Sequence, residues 1–538
     1  MPYPLTLATI LQRNQLLFGK KEVVSRDFSG IHRYTYADYN VRVEKLASAL
    51  KRLGVRPGER VATFGWNSHR HLEAYFAIPC MGAVLHTLNI RLFEDQFSFI
   101  VNHAEDAVML VDEDLLPAVE ALADKFPTVR AYIIMSDKRI VPPTKLSPVY
   151  SYEALLDAET GEYDWPSLHD ENSIAALCYT TATTGNPKGV PYSHRGIYLH
   201  ALAVCAADVL GIREADVVMP VVPMFHVNAW GIPFAATWMG TKQVFPGSRP
   251  DPKVLLSLIQ GEKVTITAGV PTVWMGVLQL MEREKYDVSS LKAIVCGGSA
   301  APKSLIEKVE KGFRVPFVHA YGMTETYPIV LVSRPKSYMK DLSEAELYSY
   351  KAKQGTLVPG LEMRVVTEDG SEVPRDGKSM GELRLRGPWI IEEYYREPER
   401  TKETVRDGWL CTGDVVTVDS EGYVQIQDRT RDLIKSGGEW ISSIDLENTI
   451  MSHPAVAEAA VIGVPSEKWT ERPMACVVLK PGFVGKVEGK EILDFLATRV
   501  AKWWIPDEVA FVDAIPKTSV GKFAKRFLRD RFKEKRFP

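Results

Sequence analysis

Tyr179-Thr180-Thr181-Ala182-Thr183-Thr184-Gly185-Asn186-Pro187-Lys188-Gly189-Val190 gathers hydroxyls, two glycines and one lysine into a single turn. A β-type run, Ala175–Thr180, leads into it. Hydroxyls and free backbone N–H groups can ring a polyphosphate, and glycine lets the backbone come close. The lysine supplies a point charge for the outer phosphates. No G-x-x-x-x-G-K-[ST] occurs anywhere in the chain, so this is not a Walker loop. Taken alone, a polar turn between two strands explains these residues better than a phosphate site. What surrounds the turn decides between the two.

Outward from this turn, apolar β-type runs alternate with helical patterns. Val61–Gly65 reads as a strand, Asn67 as the cap of a helix through Met81, and Ala83–Leu88 as a strand again. A helical stretch from Glu94 precedes Val108–Val111, and further runs follow at Val217–Val222, Lys242–Phe245, Val264–Ala268, Ala293–Cys296 and Val315–Ala320. This alternation predicts an α/β architecture with mostly buried strands. Residues Gly355–Arg386 are strand-rich, with turns at Asp369-Gly370 and Asp376-Gly377, and predict a barrel-like segment. The last hundred residues predict a small α+β unit: a helix over Asp445–Ser452, strands at Ala459–Ile462 and Ala475–Leu479, a helix from Lys490 to Trp503, and a strand at Val509–Val512. The expected division falls between residues 1–431 and 432–538, with Asp428–Lys435 as the hinge segment.

The 538 residues carry 65 Lys and Arg against 68 Asp and Glu, a net charge of −3, which argues against a nucleic-acid binder. The six cysteines, Cys80, Cys178, Cys205, Cys296, Cys411 and Cys476, show no C-x-x-C spacing and read as reduced, buried thiols of a cytoplasmic protein. No apolar run approaches the roughly 18–20 residues of a membrane helix. His69-Arg70-His71 is the one histidine pair that suggests a metal, but no third ligand and no H-E-x-x-H accompany it, and both rings are expected on a helix surface.

The turn at 179–190 resembles the signature loop of the acyl-adenylate-forming (AMP-binding) superfamily, the acyl-CoA synthetases, luciferases and adenylation domains. The family's pattern is Tyr-Thr-Ser-Gly-Thr-Thr-Gly-x-Pro-Lys-Gly. Thr181 replaces its Ser and keeps the hydroxyl, and Ala182 replaces its first Gly and gives up access to positive φ. The resemblance implies that Thr181, Thr183, Thr184, Gly185 and Lys188 contact the phosphates of ATP.

Six further stretches resemble the family in the family's order. Pro223-Met224-Phe225-His226-Val227-Asn228-Ala229-Trp230 is similar to its acyl-site segment. That likeness implies a role for His226 beside the acyl and nucleotide pockets, and acyl contacts from Val227 and Trp230. Cys296-Gly297-Gly298-Ser299-Ala300-Ala301-Pro302 is similar to the loop lining adenine and acyl group, which implicates Gly297, Gly298 and Ser299. As plain structure it would be a strand-to-helix turn with Ser299 as N-cap. Ala320-Tyr321-Gly322-Met323-Thr324-Glu325 matches the Tyr-Gly-x-Thr-Glu motif. Here the resemblance puts adenine on Tyr321, with Ala320 and Gly322 beside it, the acyl group also against Tyr321 and Gly322, the α-phosphate at Thr324, and Mg²⁺ on Glu325. A hard ion of this kind takes one or two carboxylates plus phosphate oxygens.

Asp407-Gly408-Trp409-Leu410-Cys411-Thr412-Gly413-Asp414 matches the Gly-Trp-x-x-Thr-Gly-Asp run and implies that Asp414 binds the ribose hydroxyls. By the same resemblance Arg429 holds ribose or phosphate and Asp432 is the pivot of the hinge. Lys435, Gly437, Gly438, Glu439 and Trp440 then face the thioester-forming step with coenzyme A. Pro516-Lys517-Thr518-Ser519-Val520-Gly521-Lys522 is similar to the C-terminal lysine motif, which makes Lys522 the residue expected to carry adenylation, with His226 assisting.

The resemblance covers residues 30–530. It implies a large α/β N-terminal domain of two sheets plus a barrel-like segment, a small mobile α+β C-terminal domain, and a ligase that uses ATP, Mg²⁺ and coenzyme A. A carboxylate attacks the α-phosphorus of ATP to give acyl-AMP and pyrophosphate, and a thiol then displaces AMP. The motif style is similar to that of short- and medium-chain acyl-CoA synthetases and of 3-methylmercaptopropionate-CoA ligases, with Trp230 and Trp389 shortening the acyl pocket. A luciferase-type adenylating enzyme and a non-catalytic nucleotide-binding regulator are the alternatives. A homodimer is the expected assembly.

Overall fold

The computed structural model describes residues 3–27, 29–167, 170–180, 186–430, 432–436, 439–517 and 523–537. Thr181, Thr183, Thr184, Gly185, Gly437, Gly438 and Lys522 lie outside these residues, and of Glu439 only the backbone is described. The chain forms two compact units. The larger comprises Met1–Ala182, Asn186–Glu362 and Arg386–Leu410, and the smaller is built mainly from Met363–Leu385 and Cys411–Pro538. This is an α/β fold with a large N-terminal part made of sheets and a smaller, β-rich C-terminal part.

The larger unit holds two sheets. One has seven strands in the order Val149–Ser151, Ala131–Met135, Asp106–Asp112, Arg60–Phe64, Val84–Thr87, Ile174–Thr180 and Lys188–Ser193. Its neighbours run parallel except the last pair, which is antiparallel. Asp106–Asp112 and Ala131–Met135 are buried along their whole length, as strands of a parallel sheet covered on both faces must be. The stacked rings of Phe64 and Phe97, 4.7 Å apart, sit in the core against this sheet.

The other sheet has nine strands. Its middle run, Phe317–Gly322, Ala293–Cys296, Ile266–Gly269, Val217–Pro220, Lys242–Phe245 and Glu22–Asp27, is parallel. Antiparallel strands close both of its ends. Trp274, fully buried, packs with Ile259, Ile294 and Ile306 in its core.

The helix expected from Asn67 runs over His69–Cys80, and Ser68 caps it by accepting the His71 N–H at 3.3 Å. Asn67 acts instead as a cross-brace. Its amide donates to Pro220 O and Val222 O at 2.8 and 2.9 Å, and its Oδ1 accepts from Met224 N–H at 2.7 Å. The surface position expected for His69 and His71 is also corrected. All residues of this helix are buried, so it has no solvent face for an amphipathic pattern to mark. His71 is satisfied within the core by Thr63 Oγ1 and Trp66 O, both at 2.9 Å, and burial pushes its pKa down to about 4.

In the smaller unit, Glu439–Ile441, Ile434–Ser436, Thr470–Leu479 and Val456–Ser466 pair in that order, and Glu508–Phe511 runs parallel to Thr470–Leu479. The helix Ser443–Met451 shares a core with this sheet through Leu446 and Ile450. The helix expected over Lys490–Trp503 spans only Gly489–Ala497. The Arg499 and Val500 N–H groups both turn back to Leu496 O, which closes the helix, and a separate single turn covers Lys502–Trp504. Among the described residues no helix is long and apolar enough to cross a membrane.

Candidate functional site

The antiparallel pairing of Ile174–Thr180 with Lys188–Ser193 brings Thr180 opposite Lys188, so the strand register itself places the lysine at the end of its strand. Lys188 is half-buried, and its Nζ lies 4.3 Å from the ring centre of Tyr394. Burial holds its pKa below the usual lysine value, and the nearby Glu325 carboxylate works in the opposite direction. Glu325 sits in a single turn over Thr324–Thr326 at the end of the strand Phe317–Gly322 and is 7% exposed. Its Oε1 accepts from Tyr394 Oη at 2.8 Å. Tyr192 Oη donates to Thr324 O at 2.7 Å and ties this turn to the strand that carries Lys188. The structure thus brings Lys188, Thr324 and Glu325 together within the larger unit.

Glu325 fits a magnesium ion held mainly by a nucleotide. One carboxylate oxygen is engaged by Tyr394, and no cluster of three protein metal ligands exists among the described residues. Mg²⁺ characteristically takes one or two carboxylates and completes its shell with phosphate and water.

The second grouping is Trp230, Gly297 and Ala320. Val227, Asn228, Ala229 and Trp230 all have positive φ, from 42° to 59°, a conformation L-residues adopt reluctantly. The segment is held in it from the side: Asn67 takes the Met224 N–H, and Tyr75 Oη donates to Met224 O at 2.5 Å. Trp230 is 7% exposed, and its ring lies close to Gly297. A Cβ at Gly297 would come within 2.6 Å of Ala320 O and 3.1 Å of the Trp230 ring, so only glycine fits there. Gly322 is equally constrained, because a Cβ would fall 1.8 Å from Pro328 O. Ser299 is exposed and does not cap the following helix, which begins at Lys303 after Pro302. His226 is half-buried at the entry to the left-handed turn, its N–H bonded to Pro223 O. Trp389 is buried against Gly360, and its indole donates to Ile329 O at 3.3 Å.

In the smaller unit, Asp414 and Arg429 face each other across antiparallel strands, with Arg429 Nε 3.1 Å from Asp414 Oδ1. Asp414 is buried and Arg429 half-exposed. Asp432 pairs with Arg529 at 2.6 Å. Lys435 lies opposite Trp440 in the pairing of Ile434–Ser436 with Glu439–Ile441. Its Nζ is 4.8 Å from the Trp440 ring and 3.1 Å from Glu368. In the same unit Lys525 is buried, with its Nζ 2.6 Å from Glu447 and bonded to Ser443 Oγ. Burial opposes the charge on Lys525, but Glu447, Asp428 and Asp432 outweigh it and raise its pKa. Burial pushes Glu447 up to about 7, against the pull of Lys525.

Several residues of these sites carry no motif: Asn67, Tyr192, Tyr394 and Lys525. Asn67, Tyr192 and Tyr394 act on motif residues, and Lys525 on Ser443 and Glu447, each from a distant part of the chain, and a lone Asn, Tyr or Lys gives a sequence reader no sign of it. None of the six cysteines forms a disulfide and four are buried; Cys178 donates to Asn228 Oδ1 in the left-handed turn at 3.4 Å, and burial pushes its pKa up to about 12.

Two domain models match the chain, the AMP-binding enzyme over residues 11–395 and the AMP-binding enzyme C-terminal domain over residues 445–522. The protein belongs to the AMP-binding enzyme family. It is 49% identical to a long-chain-fatty-acid–CoA ligase of Thermus thermophilus, over 99% of this chain and 96% of that one. It is 40% identical to a 3-methylmercaptopropionyl-CoA ligase of Ruegeria lacuscaerulensis, over 99% and 98%. Among solved structures, the anthranilate CoA ligase AuaEII in complex with anthranoyl-AMP superposes with a TM-score of 0.86 at 27% identity, covering 99% of this chain and 98% of that one.

Proposed function

We propose that this protein is an AMP-forming acyl-CoA ligase that activates a medium-length fatty acid, or the short thioether acid 3-methylmercaptopropionate, with ATP and transfers the acyl group to coenzyme A. The observation that carries the reading is the meeting of Lys188, Thr324 and Glu325, in a chain that belongs to the AMP-binding enzymes along nearly its whole length.

In the first step three anionic groups converge: the acid, the α-phosphate and the departing pyrophosphate. The chain's task is to position them and neutralise their charge. Lys188 and the hydroxyls of Thr181, Thr183 and Thr184 take the outer phosphates, Thr324 the α-phosphate, and Lys522 the charge that grows at the reacting phosphorus. Glu325 holds Mg²⁺, which supplies further charge neutralisation on the phosphates. Tyr321, Ala320, Gly322, Gly298 and Ser299 seat the adenine, while Asp414 and Arg429 seat the ribose. His226, Val227, Trp230 and Gly297 border the acyl group. For the second step residues 432–538 turn on Asp432 as a body, removing Lys522 and bringing Lys435, Gly437, Gly438, Glu439 and Trp440 to the acyl-AMP.

Chain length is set by Trp230, whose indole fills the space above Gly297. The two relatives bracket the acid, one named for long chains and the other for a short thioether acid. The protein acts in the cytoplasm, in keeping with its unbridged thiols, and as a homodimer. Light scattering that returned only a 60.2 kDa particle would remove the dimer.

The deciding experiment is pyrophosphate release over a panel of acids from butanoate to palmitate plus 3-methylmercaptopropionate, with and without coenzyme A. Acid-dependent pyrophosphate release, with steady AMP production only when coenzyme A is present, is the expected result. Absence of acid-dependent release overturns the reading. A preference for palmitate overturns the chain-length assignment, and Trp230→Ala is expected to shift the optimum towards longer acids.

A further inference from the structure

The stretch 390–400 contains none of the residues assigned above to substrate or ion, yet it fastens both halves of the phosphate site. The Ile391 N–H donates to Glu325 O at 3.0 Å, and Tyr394 Oη donates to Glu325 Oε1 at 2.8 Å. On the other side the Tyr395 N–H donates to Gly189 O at 2.8 Å, and Arg400 Nη1 donates to Asn186 O at 3.0 Å. Those two carbonyls flank Lys188, whose ammonium stands 4.3 Å over the Tyr394 ring. The ring itself has little freedom. It is 2% exposed, and the Tyr394 N–H is tied to Thr401 Oγ1 at 2.9 Å.

We propose that Tyr394 is a positioning residue for nucleotide and magnesium binding: its hydroxyl orients the Glu325 carboxylate, and its ring face holds the Lys188 ammonium in the same site. The proposal rests on the reading of Glu325 and Lys188 given above. One phenol serves both signs of charge because its two surfaces differ. The O–H edge is a donor to a carboxylate, and the ring face is electron-rich and attracts a cation. Burial and the neighbouring Glu325 charge both raise the phenol's pKa, so it stays a donor. Engaging Oε1 leaves Glu325 one defined direction in which to offer its other oxygen. Resting against the ring compensates Lys188 for part of the solvation that its half-burial removes.

Tyr394→Phe and Tyr394→Leu separate the two contacts. Equilibrium dialysis with a non-hydrolysable ATP analogue, with and without Mg²⁺, reads them without turnover. Tyr394→Phe keeps the ring. It is expected to raise the Mg²⁺ concentration at half-maximal enhancement of binding about 10–100-fold, as loss of a hydrogen bond to a charged group does, and to leave metal-free affinity within about twofold. Tyr394→Leu loses the ring as well and should weaken metal-free binding about 3–5-fold, the scale of one cation–π contact. An unchanged Mg²⁺ midpoint in Tyr394→Phe, or unchanged metal-free binding in a folded Tyr394→Leu, overturns the proposal. Glu325→Gln is the control for the reading beneath it. If Glu325→Gln also leaves the Mg²⁺ midpoint unmoved, the assignment of Glu325 fails. If Glu325→Gln moves it and Tyr394→Phe does not, Tyr394 alone fails.

Discussion

In the larger unit Glu325, Trp230 and Gly297 are fixed by rings and backbone, whereas in the smaller unit Asp414, Asp432 and Lys435 each stand in an ion pair. The contrast matches the work proposed for each. Close contact with a ring or a peptide fails after a displacement of an ångström, so it suits a site that keeps one shape through both half-reactions. Charge pairs fall off slowly with distance and can be exchanged for other charges, including phosphates. That suits a body that presents different residues in turn.

The largest expected effect lies in the smaller unit's buried pair. Lys525→Met leaves Glu447 and Asp428 buried without their cation and should cost about 3–5 kcal/mol in denaturant unfolding. Removing both charges with Lys525→Met and Glu447→Leu should recover much of that loss. No loss in the single variant would break the idea that charge holds this unit together.

Lys522→Ala comes next. Acyl-AMP formation, followed by pyrophosphate release, should fall about 10²–10³-fold. Thioester formation from supplied acyl-AMP should be largely spared. Equal loss of both half-reactions would remove the exchange of contacts on which the comparison depends.

Backbone rigidity can be compared directly at two glycines. Gly322→Ala drives a Cβ to 1.8 Å from Pro328 O and should destabilise by about 3 kcal/mol or fail to fold. Gly413→Ala, at φ +68° with open space around it, meets only the conformational penalty of about 1 kcal/mol. Thermal melts of the two, measured side by side, should differ clearly.

The smallest effect is a pH dependence. Burial and the charge of Asp428 raise Asp445 to about 6, above an unfolded value near ~3.9. The folded state therefore binds more protons across that window, and this residue's contribution to stability declines as pH rises from about 4 to 6. Asp445→Asn should leave stability at pH 4 nearly unchanged and raise it at pH 8 by about 1–2 kcal/mol. A gain of equal size at both pH values would count against it.

The alternation of apolar runs was enough to predict an α/β architecture with mostly buried strands, because side-chain period and burial are local properties. Fully buried helices defeat the same logic. His69 and His71 look like surface residues in sequence only because nothing local reveals that neighbours cover the helix on every side. The helix expected from Lys490 failed at its end for a similar reason. The turn at Leu496 is a choice of backbone hydrogen bonds that composition does not dictate.

For the site, contiguous motifs determined what could be read. Lys188, Thr324, Glu325 and Asp414 stand in runs of residues whose chemistry makes sense together, and the family relationship follows from those runs alone. Tyr394, Asn67 and Lys525 belong to no such run, and their partners are 69, 157 and 78 residues away in sequence. The sequence determined the family and the order of its motifs. Only the tertiary structure decided how the motif residues are aimed, because orientation comes from contacts between distant segments and is written in no single stretch of the chain.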